Sequence, residues 1–321
     1  GHDFRPDYLE IARTRKLFPR AVYLALTATA TGQVQKDIVK NLRLENPEVL
    51  VASFNRPNLF LQVQKKTDAF EQVLYFLKEH EGQRGIIYCF SKKQVDELSV
   101  RLASRKIKVL SYHAGLTTEQ RARNQKAFIS DKVDVMVATV AFGMGINKPD
   151  VRFVIHYDMP KSVEQYYQEI GRGGRDGLPS EALLLYSPAD IRKIRFLLSE
   201  SENDTSKSEY LLQQMIRYAE STSCRRKILL SYFGQTDTRE LEANEKCCCD
   251  LCNGNPRVSY GTKAVLHKAG TQTEQGGFRS FPKPVRSSRT ASGTSVMADV
   301  CHPVEVQLKK WRKKTAEELG V

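Results

Sequence analysis

Two arginines lie three residues apart in a glycine-rich stretch, QEIGRGGRDG, at residues 168–177. Guanidinium groups with this spacing, Arg172 and Arg175, can bind a polyphosphate because each presents several N–H donors in a planar fork. A phosphate-binding loop of the form G-x-x-x-x-G-K-[ST] does not occur in the 321 residues. The stretch therefore predicts a phosphate contact and leaves open what holds the rest of the phosphate chain.

Four cysteines within six residues form a second group of reactive side chains: Cys247, Cys248, Cys249 and Cys252. Neighbours this close pair poorly as disulfides but suit a metal ion, and Cys249-x-x-Cys252 has the spacing of a chelating pair. The chain has seven cysteines, an odd number that argues against a pure disulfide framework. We expect a reducing, intracellular compartment.

Three further loops are rich in small hydroxyl residues or glycines: LTATAT at 26–31, YCFSKKQVDEL at 88–98 and ATVAFGMGINKPDVR at 138–152. Helix N-termini and small hydroxyls bind phosphates without reading bases. Ser91, His113 and Thr139 are placed for such contacts, which fits a protein that tracks along a nucleic-acid strand. For Thr139 the alternative is a plain helix N-cap, and each loop alone is compatible with a tight turn.

Short apolar stretches alternate with amphipathic stretches up to about residue 200, which predicts alternating strands and helices. The predicted strands are 21–26, 58–63, 84–90, 108–112, 133–139, 151–157 and 182–186. The predicted helices follow Thr31, cover 68–80, 92–104, 117–129 and 161–170, begin again at Pro188, and number two within 206–233. This order is typical of an α/β protein, a parallel sheet with helices on both faces. Ligands of such sheets bind at the carboxyl ends of strands, so we expect chemistry after Tyr88, Tyr112 and Ala138.

The composition combines an ordinary apolar content of 40% with a net charge of +13. Such a charge predicts a polyanionic partner, most commonly nucleic acid. Residues 256–321 hold twelve Lys or Arg and five Asp or Glu, so more than half of the excess lies there. A basic tail that only keeps a disordered segment in solution is the alternative. No apolar run approaches the length of a membrane span, which predicts no membrane partner.

Taken in order, the motifs resemble the RecQ family of superfamily 2 DNA helicases. The matching segments are LTATA, IIYCFSKK, YHAGL, ATVAFGMGINKPDVRFVIHY and YYQEIGRGGRDG. The resemblance runs from residue 1 to about 252 and implies RecA-like architecture and ATP-dependent 3′-to-5′ unwinding of DNA in repair and recombination. GHDFRPDY at the N-terminus matches the segment after the family's DEAH box. Because the family's phosphate loop would precede this start, we expect no appreciable ATP hydrolysis by the chain alone.

The resemblance also assigns roles around the cleft between two RecA-like lobes. Arg175 matches the arginine finger, Arg172 matches its companion, and Gln168 matches a residue that couples nucleotide to DNA. Other residues expected near ATP and Mg²⁺ are Gly145, Asn147 and Asp150, and those expected to link the ATP and DNA sites are Thr27 and Thr29. Gly173 departs from the family, which usually has alanine there, and is expected to loosen the loop that carries Arg175.

Cys224 opens CRRKILLSYFG, which resembles the start of the RecQ zinc-binding subdomain. The family takes one zinc ligand from this helix and three from a later loop. The expected ligands of a structural Zn²⁺ are Cys224, Cys248, Cys249 and Cys252. The third ligand stays open between Cys247 and Cys248, because the commonest family spacing falls on Lys246.

The resemblance implies five regions: the end of a first RecA-like lobe, a second lobe, a small helical zinc-binding subdomain, a disordered basic linker and the start of a truncated HRDC-like helix. Their predicted bounds are 1–45, 46–200, 201–255, 256–304 and 305–321. Expected partners are ATP and DNA, both single strands and duplex junctions, in the nucleus of a eukaryote or the cytoplasm and nucleoid of a bacterium. Two alternatives stay open: a non-catalytic DNA-binding or regulatory module, and an RNA helicase, against which the zinc-binding helix and GMGINKPDVRFVIHY argue.

Overall fold

The computed structural model describes residues 10–18, 20–143, 146–199, 205–235 and 248–252. The strands are β1 (Leu59–Lys65), β2 (Arg84–Tyr88), β3 (Val109–Tyr112), β4 (Val135–Ala138), β5 (Val151–His156) and β6 (Ser180–Tyr186). The helices are α1 (Ile11–Leu17), α2 (Gly32–Asn41), α3 (Ala69–Glu79), α4 (Lys92–Ser104), α5 (Thr118–Ile129), α6 (Val163–Ile170), α7 (Pro188–Ser199), α8 (Thr205–Glu220) and α9 (Arg225–Tyr232). The predicted linker and terminal helix lie outside the described residues.

All six strands are parallel and form one sheet in the order β1-β6-β5-β2-β4-β3. Alternate residues of the central strands are buried on opposite faces, as Ile86 and Ile87 of β2 illustrate. A strand buried on both faces reads as a continuous apolar run, which is why these segments could be recognised in the sequence. The predicted α/β fold with a parallel sheet is confirmed.

Helices cover both faces of the sheet. On one face α3 and α4 pack through side chains such as Val73 and Leu98 against Ile155. On the other face Phe128 of α5 packs beside β2 and β4, while Tyr166 of α6 packs beside β1 and β6. Four helices begin at a side chain that accepts a hydrogen bond from the backbone N–H three residues on: Asp68, Ser91, Thr117 and Ser162. A cap of this kind contributes about 1 kcal/mol to stability.

The two helices predicted within 206–233 are present as α8 and α9 and join the same core. Leu212 and Met215 of α8 and Leu229 of α9 are buried with Leu61 of β1 and Leu184 of β6. This packing ties the region around the cysteines to the edge of the sheet at β1. No helix in the described segments is long and apolar enough to cross a membrane.

The prediction of a buried strand at 21–26 is wrong. This segment has no strand hydrogen bonds, and the side chains of Leu24 and Leu26 are 64% and 79% exposed. An apolar run becomes a strand only where a neighbouring strand pairs with its backbone N–H and C=O groups. Within the described ranges no strand pairs with this segment, whereas the helix expected after Thr31 is present as α2.

Candidate functional site

The arginine loop, residues 171–177, follows α6 and leads back to β6. Its Gly174 N–H donates to the carbonyl oxygen of Val151 over 2.8 Å, and the Ser180 hydroxyl donates to the same oxygen over 2.9 Å. Val151 is the first residue of β5, so the loop lies toward the amino ends of the strands. The loop is therefore separate from the strand ends after Tyr88, Tyr112 and Ala138, where the sequence predicts chemistry, because α6 carries the chain back along the sheet.

Both arginines of this loop donate to main-chain carbonyls of the segment that joins β4 to β5. Arg172 Nη1 lies 2.6 Å from the Gly143 oxygen, and Arg175 Nη1 lies 2.7 Å from the Ile146 oxygen. Among the described residues neither guanidinium forms an ion pair, and Arg172 Nε is buried without a hydrogen-bond partner. Burial, together with the charges of Arg172 and Arg56, lowers the pKa of Arg175. These are preorganised cations with unused capacity for an anion.

Gly143 makes the close approach of Arg172 possible. A Cβ atom at this position would lie 2.0 Å from Arg172 Nη2 and 2.1 Å from its Cζ, and the backbone φ of +148° disfavours L side chains. The glycine therefore sets where the Arg172 guanidinium sits. Gly145, predicted in the same segment, lies outside the described residues.

Gln168 of α6 connects the arginine-bearing region to the LTATAT segment. Its Nε2 donates to the hydroxyl of Thr29 over 2.7 Å, and the Thr29 N–H contacts the Thr27 hydroxyl over 3.4 Å. The three residues that the resemblance assigns to coupling between ATP and DNA are thus connected, with the hydroxyl of Thr29 bound to Gln168 and its backbone N–H directed at Thr27. A movement of the LTATAT segment would break or displace the hydrogen bond between Thr29 and Gln168 of α6.

Asn147 and Asp150, the two other residues expected near the nucleotide, differ in whether their side chains are already paired. Asn147 is exposed, whereas the Asp150 carboxylate lies 2.9 Å from Lys148 Nζ. Lys148 is buried and also pairs with Asp131 over 2.6 Å, which lowers the pKa of Asp131. The Asp150 carboxylate is therefore already paired, and Asn147 is the freer of the two to meet a ligand.

The side chains predicted to touch nucleic acid lie where β2, β3 and β4 end. Ser91 is exposed and caps α4 by accepting from Gln94 N–H over 3.2 Å. Thr139 is 9% exposed, and His113 is 5% exposed. Both ring nitrogens of His113 are engaged, by Asp96 at 2.9 Å and by Gly115 N–H at 3.1 Å, so a direct phosphate contact from this ring would break one of these bonds. The first backbone N–H groups of α4 remain the natural phosphate donors at this edge.

A buried pair that the sequence analysis did not identify, His156 and Glu169, joins β5 to α6. His156, at the end of β5, contacts Glu169 with Nε2 and Oε2 2.7 Å apart, and its ring stacks on Tyr88 with centroids 5.5 Å apart. The Tyr88 hydroxyl donates to the Phe142 carbonyl over 3.0 Å, next to Gly143, and burial raises the pKa of this phenol. No spacing in the sequence signals this arrangement, because its members come from three separate elements.

The four predicted zinc ligands form one cluster. Cys224 Sγ and Cys248 Sγ are 3.5 Å apart, Cys248 and Cys252 are also 3.5 Å apart, and all four sulfurs lie within 4.8 Å of one another. Tetrahedral Zn²⁺ with Zn–S bonds of about 2.3 Å places sulfurs about 3.8 Å apart, so the cluster fits this ion. Of the two alternatives for the third ligand, Cys248 is in the cluster, and Cys247 lies outside the described residues.

The cysteine loop, residues 248–252, is held against the sheet by polar contacts of its own. Asp250 Oδ1 accepts from Arg225 Nε over 2.6 Å, and Asp250 Oδ2 accepts from Val63 N–H over 3.1 Å. Cys249 forms a parallel bridge with Leu61 of β1, which adds a short backbone pairing to the outer edge of the sheet. Residues 248–252 therefore contact both Arg225 of α9 and β1 through groups other than the sulfurs.

Two family profiles match the chain: "Helicase conserved C-terminal domain" at residues 65–177 and "RecQ zinc-binding" at residues 188–253. The second contains all four clustered cysteines. The "ATP-dependent DNA helicase RecQ" of Pasteurella multocida is 45% identical over 265 residues, which are 81% of this chain and 41% of that protein. This chain belongs to the RecQ helicase family.

RecQ relatives come from bacteria and eukaryotes alike. The "ATP-dependent helicase SGS1" of Saccharomyces cerevisiae is 43% identical over 277 residues, 84% of this chain and 19% of that protein. The "ATP-dependent DNA helicase RecQ" of Bacillus subtilis is 40% identical over 255 residues, 78% of this chain and 43% of that protein. The chain therefore spans about two fifths of the length of the bacterial RecQ proteins that it matches.

Gly173, where the resemblance led us to expect alanine, has room for an alanine side chain. A Cβ atom on Gly173 would meet Ile170 O and Ser180 at 3.4 Å, which is ordinary contact, and its φ is not positive. Gly173→Ala should therefore raise the free energy of unfolding by about 0.4–1 kcal/mol, since it reduces the freedom of the unfolded chain. Urea unfolding of the chain measures this difference.

The adjacent glycine provides the matched control. Gly174 has φ +57°, and a Cβ atom there would lie 2.4 Å from Asn58 Nδ2 and 2.7 Å from Leu178 O. Gly174→Ala should lower stability where Gly173→Ala raises it. Equal destabilisation by both variants would contradict the described geometry of the loop.

Proposed function

We propose that this chain provides the second motor lobe and the zinc-binding subdomain of an ATP-dependent DNA helicase that moves 3′ to 5′. In this proposal ATP binds between the arginine loop and a first lobe that carries the phosphate loop and Mg²⁺ ligands. Arg175 acts as the arginine finger, Arg172 is its companion, and Gln168 relays the state of the site to Thr29 and Thr27.

The observation that carries the proposal is the pair of preorganised arginines without a carboxylate partner among the described residues. During phosphoryl transfer, charge develops on the oxygens around the γ-phosphorus. A guanidinium already held by carbonyl oxygens can stabilise this charge with little reorganisation. Burial already disfavours the charged form of Arg175, so an incoming anion would relieve an existing cost.

Contacts to the nucleotide beyond the arginines are assigned to the segment between β4 and β5. Asn147 is exposed and can donate or accept a hydrogen bond, while Gly145 would allow close main-chain approach. Asp150 is assigned a supporting role through Lys148, with which it pairs over 2.9 Å.

DNA is assigned to the carboxyl ends of β2, β3 and β4. There the α4 N-terminus, capped by the exposed Ser91, offers backbone N–H groups for a phosphate. Thr139 and His113 shape the neighbouring turns, with the His113 ring locked by Asp96 and Gly115. Contacts of this kind bind the backbone of a strand without reading its sequence, as a translocating motor requires.

Zn²⁺ is assigned a structural role with Cys224, Cys248, Cys249 and Cys252 as ligands. Four thiolate ligands fill a tetrahedral site, so no position is left for a reacting water. The ion would join the start of α9 to the loop that pairs with β1.

A fusion tests the proposal most directly: the first lobe of the Pasteurella multocida relative joined to this chain. The expected result is ATP hydrolysis that single-stranded DNA stimulates more than RNA of the same length, since the 2′-hydroxyl lets a protein distinguish RNA from DNA. The chain without the added lobe should hydrolyse ATP at background rate. Phosphate release is measured with each nucleic acid at saturating ATP.

Each alternative function has a distinct outcome in this assay. A fusion that binds DNA but hydrolyses no ATP would favour the non-catalytic DNA-binding module. Stronger stimulation by RNA would favour an RNA helicase. Brisk hydrolysis by the chain alone would contradict the proposed division of the ATP site between two lobes.

A further inference from the structure

Arg56 contacts the backbone of the arginine loop more extensively than any other charged side chain that the structure describes. Its Nη2 donates to Gly173 O over 2.7 Å and to Gly174 O over 3.1 Å, and its Nη1 approaches Gly171 O at 3.4 Å. A planar fork of N–H groups can bind several carbonyls at once, which a lysine ammonium cannot do with the same geometry.

A neighbouring amide completes this set of contacts. Asn58 Nδ2 donates to Gly174 O and to Leu178 O, over 2.8 Å in each case. Arg56 and Asn58 thus bind both the beginning and the end of the loop from one side. They come from a part of the sequence more than 110 residues away.

The loop needs such support because of its composition. Four of the seven residues in 171–177 are glycines, and Gly174 and Gly177 have positive φ angles of +57° and +80°. Glycines lose more conformational freedom on ordering than other residues, so a glycine-rich loop is mobile unless other groups fix it. Arg172 and Arg175 can hold a useful position only if this backbone is fixed.

The segment that presents Arg56 is itself anchored. Phe54 stacks on Phe233, just past α9, with ring centroids 4.6 Å apart, and its N–H donates to Gln235 Oε1 over 2.9 Å. The Tyr167 hydroxyl of α6 donates to the Phe54 carbonyl over 2.7 Å. Two residues later, Arg56 extends from a backbone that is held by both α6 and the region after α9.

We propose that Arg56 is a positioning residue for the arginine pair: it fixes the carbonyls of the arginine loop so that Arg172 and Arg175 meet the phosphate in a set geometry. This assignment rests on the proposed function and adds a residue to it. Arg56 does not touch the nucleotide and acts through Arg175. Asn58 assists at the far end of the loop.

A kinetic comparison of Arg56→Gln and Arg56→Lys in the lobe fusion tests this assignment. Misplaced arginines lose contacts that matter in the transition state, so kcat should fall about 10- to 100-fold while KM for ATP changes less than about threefold. Lysine keeps the charge but not the planar fork of N–H groups, so the kcat of Arg56→Lys should fall nearly as far as that of Arg56→Gln. Rescue by lysine would show that charge alone matters and would overturn the proposal.

A double-mutant comparison distinguishes positioning from an independent effect. In an Arg175→Lys background, Arg56→Gln should lower kcat by no more than about threefold further, because the residue through which it acts is already altered. A reduction of kcat by the same factor in both backgrounds would overturn the proposal. Zinc content, measured in parallel, should stay at the parent value, which would show that the zinc-binding region remains folded.

Arg195→Gln serves as the matched control, since Arg195 of α7 forms an exposed ion pair with Glu209 of α8, and its described side-chain hydrogen bonds go to Glu209 alone. Its kcat should equal that of the parent fusion. If the parent fusion shows no DNA-stimulated hydrolysis, the proposed function itself is rejected. If the parent is active and the Arg56 variants match it, only the role of Arg56 is rejected.

Discussion

Replacing Arg175 with alanine should lower DNA-stimulated ATP hydrolysis by the lobe fusion about 10³-fold. Arginine fingers contribute roughly 10³–10⁵ to the rate in GTPases, by stabilising charge on the transferring phosphoryl group. Arg175 is bound to the Ile146 carbonyl and has no acidic partner among the described residues, so its removal leaves no new unpaired carboxylate. The loss should therefore appear in kcat, and DNA affinity should remain at the parent value.

Two further variants, at Arg172 and at Arg195, show whether the loss of hydrolysis is specific to the arginine loop. Arg172→Ala should also reduce kcat, since Arg172 has a buried Nε without a partner and approaches Gly143 closely. Arg195→Ala should have no effect on hydrolysis. Steady-state phosphate release and a DNA-binding titration measure both properties on the same samples. Retention of more than about a tenth of the parent kcat by Arg175→Ala would contradict its role as an arginine finger.

Loss of the metal should be the largest effect on stability. Structural zinc contributes on the order of 10 kcal/mol in zinc-finger peptides. Here the ion would join Cys224, at the start of α9, to residues 248–252, which also contact this helix through the Arg225–Asp250 ion pair. Cys249→Ser should reduce bound zinc from one ion per chain to nearly none, since three ligands remain. The melting transition of the zinc-binding region should fall by at least about 10 °C.

The neighbouring cysteines provide a control that also decides the third ligand. Cys248→Ser should lose zinc as Cys249→Ser does, because Cys248 Sγ lies 3.5 Å from both Cys224 and Cys252. Cys247→Ser should keep the metal and the parent melting temperature. Zinc is measured by elemental analysis of the purified variants. The reverse pattern, with zinc lost from Cys247→Ser alone, would contradict the ligand set.

Local signals explain why much of the fold could be predicted from the sequence. Ser91 and Thr117 mark helix starts through short-range capping, and doubly buried strands such as β2 and β5 read as apolar runs. These features depend on neighbours within a few residues, so one sequence suffices to find them. The strand predicted at 21–26 depended instead on a pairing partner, which sequence periodicity does not report.

The same distinction applies to the candidate site. Arg172, Arg175 and the cysteine cluster were visible because glycine-flanked arginines and closely spaced cysteines are informative by themselves. Arg56 and the His156–Glu169 pair were not, since their roles come from contacts across the fold, between Arg56 and Gly173 for example. Their assignment needed the positions of carbonyl oxygens and ring nitrogens, which no residue pattern encodes.

The pairing of Cys249 with Leu61 has a consequence for handling the protein without metal. β1 is the outermost strand at its end of the described sheet, and the cysteine loop occupies part of its free hydrogen-bonding edge. An uncovered edge strand is a template on which another chain can add by backbone pairing. Zinc depletion should therefore produce self-association that depends on protein concentration. The ion would then prevent aggregation as well as stabilise the fold.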